Sequence, residues 1–144
     1  MIKLTKQIGI IERCILLYRN KIQNDFGISG CHYVYFFVLN RRSGITQDEL
    51  AKDLHINKSN VTRSIKTLKD LGYVDVVNDC NDKRINRLYL TSKGKDVFPV
   101  IKDVTNKCND SLLANFSEDE INMLESLIEK LVNNAERMCQ NENI

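Results

Sequence analysis

The sequence predicts a mainly α-helical chain with one small β-hairpin, an α+β fold forming a single structural domain. Apolar residues recur at helical spacing over most of the 144 residues. Apolar/polar alternation is confined to two short runs, at Tyr73-Val74-Asp75-Val76-Val77 and Arg87-Leu88-Tyr89-Leu90. Two boxes of the Ser/Thr-x-x-Glu type, at Thr46 and Ser117, mark helix starts.

The first helix is expected over residues 2–23, where Ile8, Ile11, Ile15 and Ile22 share a face that Ile10, Cys14, Leu17 and Tyr18 widen. A helix apolar over so much of its girth needs cover on more than one side, and in a chain this short a second subunit is the expected supplier. Gly27 and Gly30 interrupt the pattern. A second helix, with Val34, Phe37, Val38 and Arg41, then runs to about Arg42 before a Ser43-Gly44 turn.

Thr46 can accept from the Glu49 amide while the Glu49 carboxylate reaches back, so a short helix starts there with Leu50, Ala51 and Leu54 inward and Ile56 plugging the turn behind it. Asn57 is a good N-cap for the next helix. Its Val61, Ile65 and Leu68 fall at i, i+4 and i+7, and Gly72 suits the left-handed position at its end. Two short amphipathic helices around a turn of about three residues make a helix-turn-helix. The hairpin directly behind it, with its tip at residues 78–83, is then a wing.

Thr91-Ser92-Lys93-Gly94 opens a helix expected to reach about Asn115 and to bend at Pro99. After Ser117, the residues Ile121, Leu124, Leu127, Ile128, Leu131 and Val132 form a last stripe, and residues 140–143 are expected to fray. The organisation is thus a winged helix-turn-helix at residues 43–94 between N-terminal helices at 1–42 and C-terminal helices at 95–144. Ile8, Ile11, Ile15, Leu124, Leu127, Ile128 and Leu131 are the candidate dimerisation residues.

With 42% hydrophobic and 28% charged residues the chain is of the soluble globular class. The longest uncharged stretch, near residues 27–40, is far short of a membrane span of ~20 residues. The N-terminal stretch has charges on both sides of its apolar part and no small-residue cleavage site, so no membrane and a cytoplasmic location are expected. Five widely spaced cysteines without any C-x-x-C argue against a disulfide framework or a zinc ribbon. Net charge is +2, but residues 1–116 hold 19 Lys and Arg against 12 Asp and Glu, whereas residues 117–144 hold 2 against 7. The front is basic and the tail acidic, which is compatible with a nucleic-acid face on one part.

With Val61, Ile65 and Leu68 inward, the second helix of the pair presents Lys58, Ser59, Asn60, Thr62 and Arg63 near its start and Lys66 one turn on. Amides and hydroxyls can meet base edges, Arg can bridge guanine, and Lys meets phosphate, which is what a major-groove reader needs. The ordinary alternative is an exposed polar face such as any globular protein has. Its position between a capped helix and a wing favours the reader. Thr46 is an N-cap first of all, but it and Gln47 can also offer donors to a phosphate at that helix start.

Taken together, residues 45–94 resemble the multiple-antibiotic-resistance regulator (MarR) family of winged helix-turn-helix repressors. The matching features are Gln47, Leu50 and Ala51 in a Q-x-x-L-A helix, Val61-Thr62-Arg63, Leu71-Gly72-Tyr73, the Asp-x-Arg pair Asp82 and Arg84, and Leu90, Thr91 and Gly94 as L-T-x-x-G. The resemblance implies an obligate homodimer knitted by the terminal helices and seated on a pseudo-palindromic double-stranded operator. It also implies that Arg84 enters the minor groove while Asp82 braces it. Lys83 and Arg87 are expected to contact the DNA backbone. Relatives often carry a proline in the approach to the wing, and Cys80 stands there instead, which leaves the tip's rigidity open. Independently, two apolar terminal helices need a partner, and symmetric dimers are the commonest solution.

Some relatives are released from DNA by phenolic or other aromatic ligands, some by cysteine oxidation, and some respond to zinc. The set His32, Tyr33, Tyr35, Phe36 and Phe37 can line a pocket for a small aromatic effector, though such clusters are more often core. Cys31, at an expected helix start, and Cys14, beside Arg13, are the redox candidates, against the ordinary account of each as a small buried core residue. Cys31-His32 is the only neighbouring Cys/His pair, too few ligands for a specific metal site. No cofactor is expected, and no enzyme, since there is no nucleophile–base pair, phosphate loop or paired acids in a plausible cleft. The leading function is a DNA-binding transcription regulator, a repressor released by a small effector. The alternatives are a thiol- or metal-responsive regulator of the same fold and a winged-helix module that binds only protein.

Overall fold

The computed structural model describes residues 3–141. Ile2, where the first helix is expected to begin, and Glu142 and Asn143, in the stretch expected to fray, lie outside the described residues, as do the side chains of residues 22–24 and 141. The chain divides into two compact units, Met1–Cys108 and Asn109–Ile144.

In the first unit, α1 (Leu4–Gln23) is followed by two single 3-10 turns, Asn24–Phe26 and Gly30–His32, and by α2 (Tyr33–Arg41). The chain continues through β1 (Ile45–Thr46), α3 (Gln47–Leu54), α4 (Lys58–Asp70), β2 (Val74–Asn78) and β3 (Asn86–Leu90) into α5 (Ser92–Leu112). The sheet is antiparallel in the order β1-β3-β2, and Leu88 at its centre pairs with Ile45 on one side and Val76 on the other. Behind the sheet, Phe36 and Leu39 of α2, Leu50 of α3, Val61, Ile65 and Leu68 of α4, Leu88 and Ile101 form one sealed core. Each such side chain contributes about 1.5–3 kcal/mol by leaving water.

The local signals act as expected. Thr46 Oγ1 accepts from the Glu49 amide at 3.2 Å and the Thr46 amide donates to Glu49 Oε2 at 2.9 Å. Asn57 Oδ1 accepts from the Ser59 amide at 2.9 Å, with only His55, Ile56 and Asn57 between α3 and α4. Gly72 takes φ +80° after α4, a backbone state that costs a residue without Cβ nothing. Lys93 then donates to the Leu71 carbonyl at 2.7 Å and lies over the Tyr73 ring, while the Tyr73 hydroxyl donates to the Phe26 carbonyl at 2.8 Å. These contacts tie the junction of α4 and β2 to the start of α5 and to the 3-10 turn at Phe26.

Three expectations need correction. β1 is an extra strand: Ile45 and Thr46 extend alongside Leu88 and Arg87, and Thr46 is at once the last strand residue and the cap of α3. The wing tip is residues 79–85, not 78–83, because the Ile85 amide donates to the Asp82 carbonyl at 3.0 Å in a turn, so that β3 begins only at Asn86, opposite Asn78. α5 continues through Pro99 but ends at Leu112, short of Asn115, which adopts a left-handed φ of +71°.

In the second unit, α6 (Glu118–Asn141) opens with a reciprocal cap, the Ser117 amide donating to Glu120 Oε2 at 2.8 Å and the Glu120 amide to Ser117 Oγ at 3.3 Å. Leu127, Ile128, Leu131 and Val132 are exposed along it. Ile8 and Ile11 are likewise exposed on α1, whereas Ile15 and Leu124 are partly covered. No helix among the described residues is long and apolar enough to cross a membrane.

Candidate nucleic-acid interface

The inward set Val61, Ile65 and Leu68 fixes the roll of α4, so Lys58, Ser59, Asn60, Thr62, Arg63 and Lys66 all emerge at the surface. The start of α4 is held to the start of α3 by side chains. The single hydroxyl proton of Thr62 is shared between two acceptors, the Lys58 carbonyl of its own helix (2.9 Å) and Gln47 Oε1 (3.0 Å). Lys58 Nζ lies 2.6 Å from Asp48 Oδ1. Thr46, Gln47, Asp48 and Lys58 thereby come to face Arg84, Ile85 and Asn86 of the wing across an open cleft of about 240 Å³. Two helix starts and a wing meet there, with the cations Lys58 and Arg84 and the carboxylate of Asp48 on its walls.

The wing is ordered from within. Asp79 Oδ1 accepts from the amides of Asn81 (2.8 Å) and Asp82 (3.2 Å), and Asp79 Oδ2 accepts from Arg87 Nε at 2.5 Å. Arg87 Nη1 donates to the Gly44 carbonyl at 2.9 Å. Asp82 Oδ1 accepts from the Arg84 amide at 2.9 Å, so it braces the backbone beneath the arginine. The tip amides and the Arg87 guanidinium hold the Asp79 carboxyl below the usual range, and Asp79 in turn raises Arg87. Glu49 is lowered as well, chiefly by the Thr46 amide and hydroxyl.

Of the twelve residues expected at this face, Thr46, Gln47, Lys58 and Arg84 share the cleft. Ser59, Asn60, Thr62, Arg63 and Lys66 lie along α4, and Lys83 is exposed at the tip. Asp82 and Arg87 are engaged in the wing's own hydrogen bonds. Sequence reasoning missed Asp48, Asp79, Ile85 and Asn86. The usable signal was an acid eight residues before an arginine across a hairpin, which becomes informative only once the register Asn78↔Asn86 is known.

The candidate switch residues are scattered. Cys14 and Cys31 are both exposed, contrary to their ordinary account as core cysteines, whereas Cys108 is buried. Gly30 and His32 turn inward on the 3-10 turn and leave Cys31 on its solvent side, with Sγ 2.7 Å from Ser29 Oγ. His32 Nδ1 accepts from the Ser29 amide at 3.2 Å, and burial lowers its pKa, favouring neutral imidazole. Among the described residues no three His, Cys, Asp or Glu side chains gather to hold a metal ion. Tyr35 and Phe36 are sealed in the core, while Tyr33 and Phe37 are partly exposed and Phe37 meets Phe98 edge-on at 5.2 Å.

A MarR family model matches residues 26–85, from the end of the first helix to the wing tip. The HTH-type transcriptional regulator YybA of Bacillus subtilis is 26% identical over 132 residues, 92% of this chain and 88% of that one. Among solved structures, the transcriptional regulator SlyA superposes with a TM-score of 0.92 at 26% identity, over 96% of this chain and 98% of that one. A MarR family regulator from Listeria monocytogenes, solved in complex with a 26mer DNA, gives a TM-score of 0.85 at 27% identity, over 93% of this chain and 89% of its own. Family model, relatives and fold point the same way: residues 26–85 match the MarR family, and nearly the whole chain is similar to winged helix-turn-helix transcriptional regulators of the MarR and SlyA type.

Proposed function

We propose that the chain is a repressor that binds a pseudo-palindromic double-stranded operator as a homodimer and is released by a small aromatic effector. The observation that carries the reading is the convergence of the α3 start, the α4 start and Arg84 on one cleft, beside the exposed row Ser59, Asn60, Arg63 and Lys66. Short polar side chains and an arginine suit base edges in the major groove, and Arg84 on its projecting wing suits the adjacent minor groove. Lys58, Lys66 and Lys83 suit phosphates, and Arg87 keeps one guanidinium nitrogen outside its bonds to Asp79 and Gly44 for the same use. That a similar regulator from Listeria monocytogenes was crystallised with a 26mer DNA supports DNA as the partner.

Homodimerisation is supported by exposed apolar residues on α1 and on α6, which a monomer would leave in water. Binding two half-sites about one helical turn apart follows from two-fold symmetry. Bound over a promoter, such a dimer excludes the transcription machinery. Tyr33, Phe37 and Phe98 supply the partly exposed aromatic surface on which an effector can lodge. A thiol-responsive variant of this reading is favoured by the exposed Cys31.

Selection of bound sequences from a random duplex pool, alone and with a phenolic acid, peroxide or zinc, tests all of this. A palindromic consensus lost in the presence of the phenolic acid is expected. Enrichment of no sequence would count for a protein-only winged module, and loss with peroxide alone would make the thiol the switch.

A further inference from the structure

We infer that Asp79 is a positioning residue for operator binding: through Arg87 and the tip amides its carboxylate fixes the wing so that Arg84 is presented in one orientation. The inference rests on the reading above, that the wing meets DNA. It arises from a continuous chain of bonds that runs from Gly44 to Arg84 and branches at Asp79. The Gly44 carbonyl, at the entry to β1, accepts from Arg87 Nη1 at 2.9 Å, and Arg87 Nε donates to Asp79 Oδ2 at 2.5 Å. Asp79 Oδ1 gathers the amides of Asn81 and Asp82, and Asp82 Oδ1 accepts from the Arg84 amide at 2.9 Å. Asn78 Nδ2 donates to the Lys83 carbonyl at 2.8 Å and closes the other side of the tip.

This chain begins two residues before Thr46 and ends at Arg84, and both of those residues line the same cleft. Asp79 therefore sets the distance between the α3 start and the wing cation. A seven-residue tip without such an organiser would have to be ordered at the moment of binding, and that cost is subtracted from affinity. The Asp79 side chain is only 11% exposed although it sits in a surface hairpin, as expected of an internal tie.

A carboxylate near a phosphate backbone also has an electrostatic effect of the opposite sign. Removing its charge favours attachment to any duplex, and it frees the Arg87 guanidinium to join in. Asp79→Asn keeps an acceptor for the tip amides but faces Arg87 with a donor, so it breaks the ion pair alone. Positioning thus predicts weaker specific binding together with unchanged or stronger non-specific binding. A merely structural role would move both affinities the same way.

The test uses the full chain and two probes, the duplex recovered by selection and a scrambled duplex of equal length and composition. Asp79→Asn should lower affinity for the selected duplex by about tenfold and leave affinity for the scrambled one equal or higher. Arg84→Ala should cost about tenfold in the wild type and little more in the Asp79→Asn background, because the effects of coupled residues do not add. Arg87→Lys, which conserves charge but cannot bridge Asp79 and Gly44, should reproduce the loss of discrimination even if Asp79→Asn proves too unstable to purify. An unchanged ratio between the two duplexes, or losses that multiply in the double variant, would overturn the inference. Should Arg63→Ala and Arg84→Ala both leave binding to the selected duplex unchanged, the DNA reading itself falls and the inference with it.

Discussion

Thr62 donates its hydroxyl proton to Gln47 Oε1 at 3.0 Å, joining the exposed face of α4 to the first residue of α3. The bond directs Gln47 Oε1 toward α4 and limits the freedom of both side chains. Thr62→Val and Gln47→Ala should each weaken binding to the selected duplex several-fold, and the double variant should be scarcely worse than either, since one interaction is lost in all three. Thermal midpoints should move little, because an exposed hydrogen bond contributes only about 0.5–1.5 kcal/mol. Titrations and melting curves of the three variants check this; additive losses would count against the tie.

Arg63 and Lys66 share the α4 surface but are expected to differ in kind. Arg63→Ala should cost roughly 1–3 kcal/mol and relax preference at one position of the operator. Lys66→Ala should weaken all sequences alike and reduce the slope of log affinity against log salt by about one. Binding isotherms at several salt concentrations on selected and scrambled duplexes separate the two. A slope indifferent to Lys66 would remove it from the phosphate contacts.

What could be read from the sequence divides along a physical line. The boxes at Thr46 and Ser117, the Asn57 cap and the Gly72 stop are matters of residues two to four apart, and all are where the spacing puts them. The inward face of α4 follows from period alone. β1 is hidden because its two residues are strand only by virtue of Leu88 and Arg87, some forty residues onward. The Asp79–Arg87–Gly44 tie is hidden for the same reason: Arg87 reads as one more surface cation until the hairpin register brings it to Asp79. The exposure of Cys14 is hidden by α1 itself, whose apolar residues cover too much of the girth to tell the outer face from the inner.

Glu49, Asp79 and Glu120 each have a carboxyl pKa held below its ordinary value, by hydrogen bonds from Thr46, from the wing tip and from Ser117 respectively. A depressed folded-state pKa contributes stability that is fully present above the unfolded value, about 3.9 for Asp and 4.3 for Glu, and is lost as pH falls through the folded value. Melting temperature should therefore be level near neutrality and fall on acidification below about pH 5. Glu49→Gln and Asp79→Asn should each flatten that fall. A melting temperature that rises on acidification would contradict the assignment.

Gly94, in the first turn of α5, is packed so closely that a Cβ there would collide with the Tyr73 carbonyl oxygen and meet Leu90 Cδ2 at 3.2 Å. The obstacle is backbone, which cannot swing aside as a side chain would. The Tyr73 carbonyl also accepts from the Thr91 amide at 3.0 Å, so displacing it disturbs the junction of wing and helix. Gly94→Ala should destabilise the fold by roughly 1–3 kcal/mol, against the ordinary gain in helix propensity, read as a lower melting temperature.

Ile11 on α1 and Leu127 on α6 are about half exposed, at 49% and 50%, within continuous apolar surfaces. Soluble chains rarely leave such stripes uncovered, and the proposed dimer would bury them against a second copy. Ile11→Glu and Leu127→Glu would each set a charge in that interface, where desolvating it without a partner is costly. Each variant should sediment as a monomer at concentrations where the wild type is a dimer, with its melting temperature no longer rising with protein concentration. Operator affinity should then fall far more steeply than any single contact could explain, by roughly 10²- to 10⁴-fold, because the second half-site is no longer bound at the effective concentration of a linked module. Binding to an isolated half-site should be unchanged. A Glu variant that stays dimeric, or that loses half-site binding as well, would place the dimer contacts elsewhere.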